Sequence, residues 1–419
     1  MKHINLNDLL ICRSLLDDPA MQELQKAMNG RHTAAMTCAS LLIRAAEKHG
    51  ISGNLLRGYI LYRLAHYANL AAQTTEAQAG PVGPGLRTAF VRDMEILLPL
   101  LKSPATAFIP LPLLDDYKPT VPVRTEAAAA LSDLLRDAET PEDYARALLS
   151  YYHCFGYGDI ASYRAFRWDD TKKNIVGIRH FESIRMSDLI GYQHQKDLIT
   201  GNTLAFIAGK PANNVLLVGA RGTGKSSAVK ALANEYYNRG LRLLQLTKDQ
   251  LCDLPLVMDT LRKFASKYFI VFFDDLSFEE NDAAYKNLKS AMEGGVESRP
   301  ANVLIYATSN RRHLIRETWH DRGENDSEVH RSDSVNESIS LSDRFGLIIQ
   351  YYAPDQNEYL AIIDHMLKKA GVTLTPEELR VAGVRWEMTH SGRSGRTAEQ
   401  FVADYLGQNK TVKLDPADN

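Results

Sequence analysis

The residues best suited to chemistry form one short run, GARGTGKS, from Gly219 to Ser226. It satisfies every fixed position of the pattern G-x-x-x-x-G-K-[ST]. Glycines 219, 222 and 224 let the backbone curl until successive N–H groups point at phosphate oxygens. The helix N-terminus behind them adds positive potential. Lys225 can reach the outer phosphates of a nucleotide, and the Ser226 hydroxyl is a hard oxygen ligand suited to Mg²⁺. Gly219, Ala220, Arg221, Gly222, Thr223, Gly224, Lys225, Ser226 and Ser227 are therefore the expected phosphate cradle. A second segment, YFIVFFDDL, ends the apolar run Phe269–Phe273 in Asp274 and Asp275. Paired aspartates also end strands simply by turning the chain. Downstream of a phosphate loop, however, a carboxylate at the end of a neighbouring strand is what an Mg²⁺ shell requires. Asp274 thus joins Ser226 as an expected metal ligand.

These residues need a frame, and the surrounding pattern supplies one. NNVLLVG, LRLLQL, YFIVFFDD, NVLIYATS and GLIIQYY read as buried strands alternating with helices. Continuous apolar runs of this kind suit a parallel sheet covered on both faces, in a doubly wound α/β core. The phosphate loop follows the strand 214–218 and opens a helix running from Lys225 towards Tyr237. The first 180 residues are helical in texture, with an apolar 3.6-residue period over Leu55–Leu70. AGPVGPG at 79–85 and a proline-rich stretch at 104–122 interrupt it. Helices restart at Thr125 and at Thr140, where Pro141 takes the first helical position. After Pro354 the strands stop. Asn357–Lys369 reads as a helix, and Thr375-Pro376-Glu377-Glu378 has the order of a capping box. The expected division is a helical N-terminal domain, 1–184, an α/β nucleotide-binding domain, 185–352, and a small helical lid, 353–419. The first of these carries no motif with chemistry and is assigned a partner-interaction role by default.

The bulk properties set bounds. The chain has 419 residues, enough for two or three domains, with 49 Lys+Arg against 51 Asp+Glu and a net charge of -2. No global basic excess points to nucleic acid. The opening MKHINLNDLLICRSLLDDP places acids inside its apolar stretch, unlike a secretory signal, and no apolar run is long enough to cross a bilayer. Cys12, Cys38, Cys154 and Cys252 are scattered and form no CxxC pair, so neither a disulfide framework nor a zinc site is expected. His153 beside Cys154 is better read as packing than as half a metal site. The expected location is the cytoplasm.

From Asp188 to about Leu406 the chain resembles an AAA+ ATPase module. DLIGYQHQ, Asp188–Gln195, is similar to the segment that packs near the adenine. NVLIYATSNRRHL, 302–314, resembles the sensor-1 strand with Asn310 at its tip. LSDRFGL, 341–347, is similar to the arginine-finger box, with Arg344 as the finger. SGRTAEQF, 394–401, resembles the sensor-2 helix, with Arg396 as its arginine and Arg393 as a close rival. More narrowly, NNVLLVGARGTGKSSAVKAL, DDLSFE, ATSNRRHLI and SLSDRFGL resemble one bacterial AAA+ family of unknown function. The resemblance implies ATP and Mg²⁺ as ligands and hydrolysis of ATP. The implied catalytic group is Asp275, Asn310, Arg344 and Arg396. It also implies a homo-oligomer, a hexamer above other numbers. Asn310 would orient the attacking water, and Arg344 would stabilise the phosphoryl charge in a neighbouring subunit's site. One departure bears on rate. Asp275 stands where many AAA+ enzymes have a glutamate to polarise water, and Glu279 is the alternative. Slow turnover is consistent with this.

The polar stretch 317–337, with His320 and His330, fits no metal spacing and reads as a solvated loop. Arg311-Arg312-His313 is too short a basic run to indicate nucleic acid. Three functions remain open from sequence alone. The chain is an oligomeric motor or switch acting on an unidentified protein or nucleoprotein partner, a nucleotide-gated binding module with little turnover, or a DNA-acting initiator-like ATPase. No membrane partner is expected.

Overall fold

The order of the strands explains how the motifs meet. The computed structural model describes residues 4–122, 125–278, 283–293, 299–310, 344–390 and 392–409. Among these, seven strands form one sheet: β1 (Ala165–Asp169), β2 (Asn174–Gly177), β3 (Val215–Gly219), β4 (Leu241–Leu246), β5 (Tyr268–Phe273), β6 (Val303–Ser309) and β7 (Leu347–Tyr351). They lie in the order β2-β1-β4-β5-β6-β3-β7, with every pairing parallel except β1 with β2. Consecutive residues of β3 go to opposite faces. Leu216 and Val218 pack in one apolar cluster with Leu244, Val271 and Ile305, while Val215 and Leu217 pack in another with Leu243, Ile270 and Leu304. The period-2 geometry of a strand makes both faces apolar, and both are buried.

Beyond the sheet, helices Gln356–Lys369, Pro376–Thr389 and Gly395–Asn409 form a small unit around Tyr359, Ile363, Leu367 and Phe401. The first two start in capping boxes, Asp355 with Glu358 and Thr375 with Glu378. The strand that leads into Gly219–Ser226 thus lies between β6 and β7, with β5 and β4 beyond β6, in the expected parallel α/β core followed by a helical lid.

The N-terminal helices run from Pro19 to Cys154 around a core of their own. Thr125 and Thr140 cap their helices as expected. Two expectations are corrected. The period over Leu55–Leu70 belongs to two helices, because Leu55–His66 ends at an extended Tyr67 and Asn69 caps a new helix, Leu70–Ala77. In addition, β1 and β2 fall inside the stretch expected to be helical. β1, AFRWD, pairs with β4 at Ala165↔Leu243, so the α/β unit begins about twenty residues before the expected boundary at 185. Five residues with only three buried sites give too short a pattern to stand out from helical surroundings.

The two bodies are joined through buried cations. Lys267, 0% exposed, donates to Tyr152 O at 2.9 Å, His153 O at 2.6 Å and Ser266 Oγ at 2.8 Å. Arg242, also 0% exposed, donates to Phe155 O and Ile160 O, both at 2.8 Å, and to Tyr237 O at 2.9 Å. These cations occupy the carboxyl end of helix Pro141–Cys154, where unpaired carbonyls carry partial negative charge. Glu76 lies beside them. Burial pushes its carboxyl up and the Lys267 ammonium down, and their mutual attraction opposes both shifts. Among the described residues, no helix is long and apolar enough to cross a membrane.

Candidate functional site

The phosphate loop leaves β3 at Gly219 and enters helix Lys225–Glu235 at Gly224. Gly219 has φ +144, and a Cβ there would stand 1.8 Å from the Tyr351 carbonyl oxygen of β7. No side chain fits, so glycine lets β7 close on β3 exactly where the loop begins. Gly224, at φ +85, supplies the left-handed turn into the helix. Lys225 is 6% exposed. Its Nζ donates to Gly219 O at 2.9 Å, Ala220 O at 2.7 Å and Asn310 Oδ1 at 3.3 Å. Burial lowers its pKa, while Asp275 and Asp274 pull the other way. Thr223 steadies the loop by donating to Ala220 O at 2.9 Å.

Parallel pairing carries the acids to this loop. Asp274 and Asp275 leave β5 next to the end of β6, which adjoins β3. Asp274 Oδ1 accepts from Ser226 Oγ at 2.6 Å and from Thr308 Oγ1 at 2.7 Å. Asn310 Nδ2 donates to Asp275 Oδ1 at 2.5 Å, and Thr308 Oγ1 accepts from the Asp275 N–H at 2.8 Å. Asp275 has φ +54, a left-handed conformation costly for a non-glycine residue and held here by its neighbours. Arg221 approaches it at 3.9 Å, both side chains being largely exposed.

A cavity of about 850 Å³ spans these groups, lined by the loop from Arg221 to Ser227 and by Asp274, Asp275, Asn310 and Arg396. Leu189, Ile190, Ile362 and Met366 form an apolar wall, so the DLIG segment lies on the cavity. The lid touches the loop directly, through Gly395 N–H to Gly222 O at 2.7 Å. The two arginines beside it sit differently. Arg396 lines the cavity, whereas Arg393 Nε is bonded to Glu387 at 2.9 and 3.0 Å. Glu399, also on the cavity, has its pKa raised by burial and by Glu182, with Arg396 opposing.

Arg344 is not among the cavity residues. It lies three residues before β7, whose first residue, Leu347, pairs with Val215 at the start of β3, at the end of the sheet opposite the loop. The rest of that box up to Asp343, together with Glu279, Arg311-Arg312-His313 and the stretch 317–337, lies outside the described residues.

Sequence reasoning missed Thr308, which ties both aspartates together, and His365, on the cavity wall. A threonine in an apolar strand signals only a β-former, and a histidine in an amphipathic helix signals nothing. A larger cleft, about 1150 Å³, lies among the N-terminal helices and holds none of the motif residues. Its size does not make it the chemical centre. The donor set at the loop suits Mg²⁺, which takes one or two protein oxygens and completes its shell from phosphate and water. Ser226 and Asp274 offer just that. Among the described residues, no group of three or more His, Cys, Asp or Glu could hold a metal by itself, and the four cysteines are free.

Residues 161–409, more than half of the chain, match the family model described as Protein of unknown function (DUF815). The chain belongs to this family. The DUF815 segment takes in the whole sheet and the lid, and it leaves out the helices from Pro19 to Cys154. No curated protein matches the sequence. Solved structures similar to this DUF815 chain include the Thermotoga maritima RuvB Holliday junction branch migration motor, at 17% identity with a TM-score of 0.37, over 54% of this chain and 65% of that one. C. elegans PCH-2 is similar at 16% identity with a TM-score of 0.37, again over 54% and 65%. The DUF815 chain thus spans just under two thirds of the length of each.

Proposed function

We propose that this chain is a Mg²⁺-dependent AAA+ ATPase that works as a homo-oligomer, a hexamer above other numbers, and remodels a protein partner. The observation that carries this reading is the linked set Lys225–Asn310–Asp275 and Ser226–Asp274–Thr308 around one cavity. The loop N–H groups and Lys225 would bind the phosphates, with the ammonium exchanging its hold on Gly219 O and Ala220 O for phosphate oxygens. Ser226 and Asp274 would hold Mg²⁺, which when bound neutralises charge shared between the outer phosphates. Asp275, steered by Asn310, would accept a proton from the attacking water. Arg396 would close the lid over the phosphates. Asp275 already spends one oxygen on Asn310 and is one methylene shorter than glutamate, which favours slow turnover.

Arg344 would complete the site of a neighbouring subunit, since it stands at the far end of its own sheet. A head-to-tail contact of that type closes into a ring. Mixing subunits tests this. Lys225→Ala should lose ATP binding, Arg344→Ala should bind but not turn over, and mixed assemblies should recover activity where an intact loop meets an intact finger. Co-assembly without recovery would rule out a finger acting between subunits.

A further inference from the structure

The cleft among the N-terminal helices is larger than the nucleotide cavity, and the chemistry above makes no use of it. Its walls come from helices His32–His49, Leu55–His66, Glu126–Leu134 and Gly158–Ser162. The floor is apolar: Leu131, Leu135 and Tyr151 lie on it, between 1% and 5% exposed. The rim is cationic. Lys48, Arg57 and Arg179 come to it from three separate stretches of chain, all exposed, and none has an ion pair or a side-chain hydrogen bond among the described residues. Asp159 is the single acid among the described lining residues. Burial lowers the pKa of His49 and His66, so the other three carry the fixed charge of the rim. A lone surface cation is ordinarily just solvated. Three that converge on one concave apolar floor give the cleft a sign, and a cleft of one sign concentrates ligands of the other. The rings narrow the choice of anion. Tyr62 is held between His49 and His66, with centroids 4.3 Å away on each side, and Tyr67 meets it edge-on with the Arg63 guanidinium over its own ring. Both faces of Tyr62 are taken, so this ring offers no platform on which a nucleobase could stack. What fits is an extended chain that presents carboxylates to the rim and apolar side chains to the floor, as alternate residues of an extended peptide do.

We infer that this cleft binds an acidic, partly apolar peptide segment of the partner protein. The inference deepens the reading above and rests only on its clause about a protein partner. Carboxylates of the segment pair with Lys48, Arg57 and Arg179, and its apolar side chains cover Leu131 and Leu135. The cleft also adjoins the ATPase sheet. Tyr163, on its wall, fills the space beside Gly177 of β2, where a Cβ would stand 2.0 Å from the ring. β2 pairs with β1, and β1 with β4. A segment seated in the cleft therefore lies against the edge of the sheet whose other strands carry the phosphate loop and the two aspartates.

Fluorescence anisotropy tests this on the full chain in Mg²⁺ and ADP. The probe is a fluorescein-labelled peptide of alternating glutamate and leucine. It should bind, and its binding should weaken as salt rises. Serine in place of its glutamates, or Lys48→Gln, Arg57→Gln and Arg179→Gln combined in the protein, should weaken binding by roughly tenfold or more. Arg57→Lys keeps the charge and should stay within about threefold of the wild type. Calorimetric affinity for ADP should be the same in all these proteins, which reports their folding. The serine peptide is compared on the wild type, so the test stands even where the triple variant folds poorly. No binding of the acidic peptide, equal binding of the serine peptide, or unchanged binding in a folded triple variant would overturn the inference. Labelled oligothymidylate bound as tightly as the peptide would overturn it too, because the cleft would then answer to negative charge alone. A wild type that binds ADP and not the peptide removes this inference and leaves the ATPase reading. One that binds the peptide and not ADP keeps the cleft and removes the ATPase reading.

Discussion

Replacing Thr308 by valine removes one hydroxyl and almost no volume, so its effect reports hydrogen bonds and not a cavity. Thr308 is 2% exposed. Its Oγ1 donates to Asp274 at 2.7 Å and accepts from the Asp275 N–H at 2.8 Å. In Thr308→Val, Asp274 keeps Ser226 as a donor, so that loss is partial. The Asp275 N–H has no substitute, and a buried unpaired N–H costs about 1–3 kcal/mol. Solvent near the exposed Asp275 side chain recovers part of the rest. The expected loss is about 2 kcal/mol in urea unfolding. Turnover should fall further than stability, by roughly tenfold or more, because the left-handed Asp275 backbone loses the bond that orients its carboxylate. Thr308→Ser restores the hydroxyl and should recover most of both. A Thr308→Val protein within about 0.5 kcal/mol of wild type, with unchanged turnover, would refute the idea that Thr308 holds the two aspartates.

Three further outcomes are expected. Gly219→Ala forces a Cβ against the Tyr351 carbonyl and should separate β7 from β3, seen as lost ATP binding together with a lower unfolding midpoint. Arg396→Ala should weaken binding of ATP more than of ADP in calorimetry, whereas Arg393→Ala, whose partner is Glu387, should leave both affinities near wild type. Asp274→Asn should raise the Mg²⁺ concentration needed for nucleotide binding; an unchanged Mg²⁺ titration would remove Asp274 from the metal shell.

What could be read from sequence follows from signal strength. β3 to β6 are five to seven residues long and mostly buried on both faces, and β7 is apolar although Ile348 is exposed, so their apolar runs stand out, and the loop glycines are constrained enough to be recognisable. β1 and β2 gave no such run. Their place in the sheet is decided by contact with β4, a long-range effect that local pattern does not contain. The helix break at Tyr67 was hidden because apolar spacing continues across it, while Asn69, the cap that starts the next helix, lies within the run. Arg242 and Lys267 look like solvated charges in the sequence. Only the packing of a distant helix end over them makes burial possible. The motif favours Arg396 with Arg393 as a close rival, and what sequence does not contain is that Glu387 holds Arg393.

Those buried cations bear on where the molecule can be cut. The family match begins at residue 161, yet the carbonyls that receive Lys267 and Arg242 come from Tyr152, His153, Phe155 and Ile160, all before it. A chain starting at 161 would keep both cations and lose most of their acceptors, along with Glu76. Both charges would then meet water on a newly bared surface, and the apolar groups uncovered around them would be the liability of such a cut. The matched segment is thus shorter than the segment that keeps these contacts, and a cut that leaves both cations their acceptors retains the N-terminal helices.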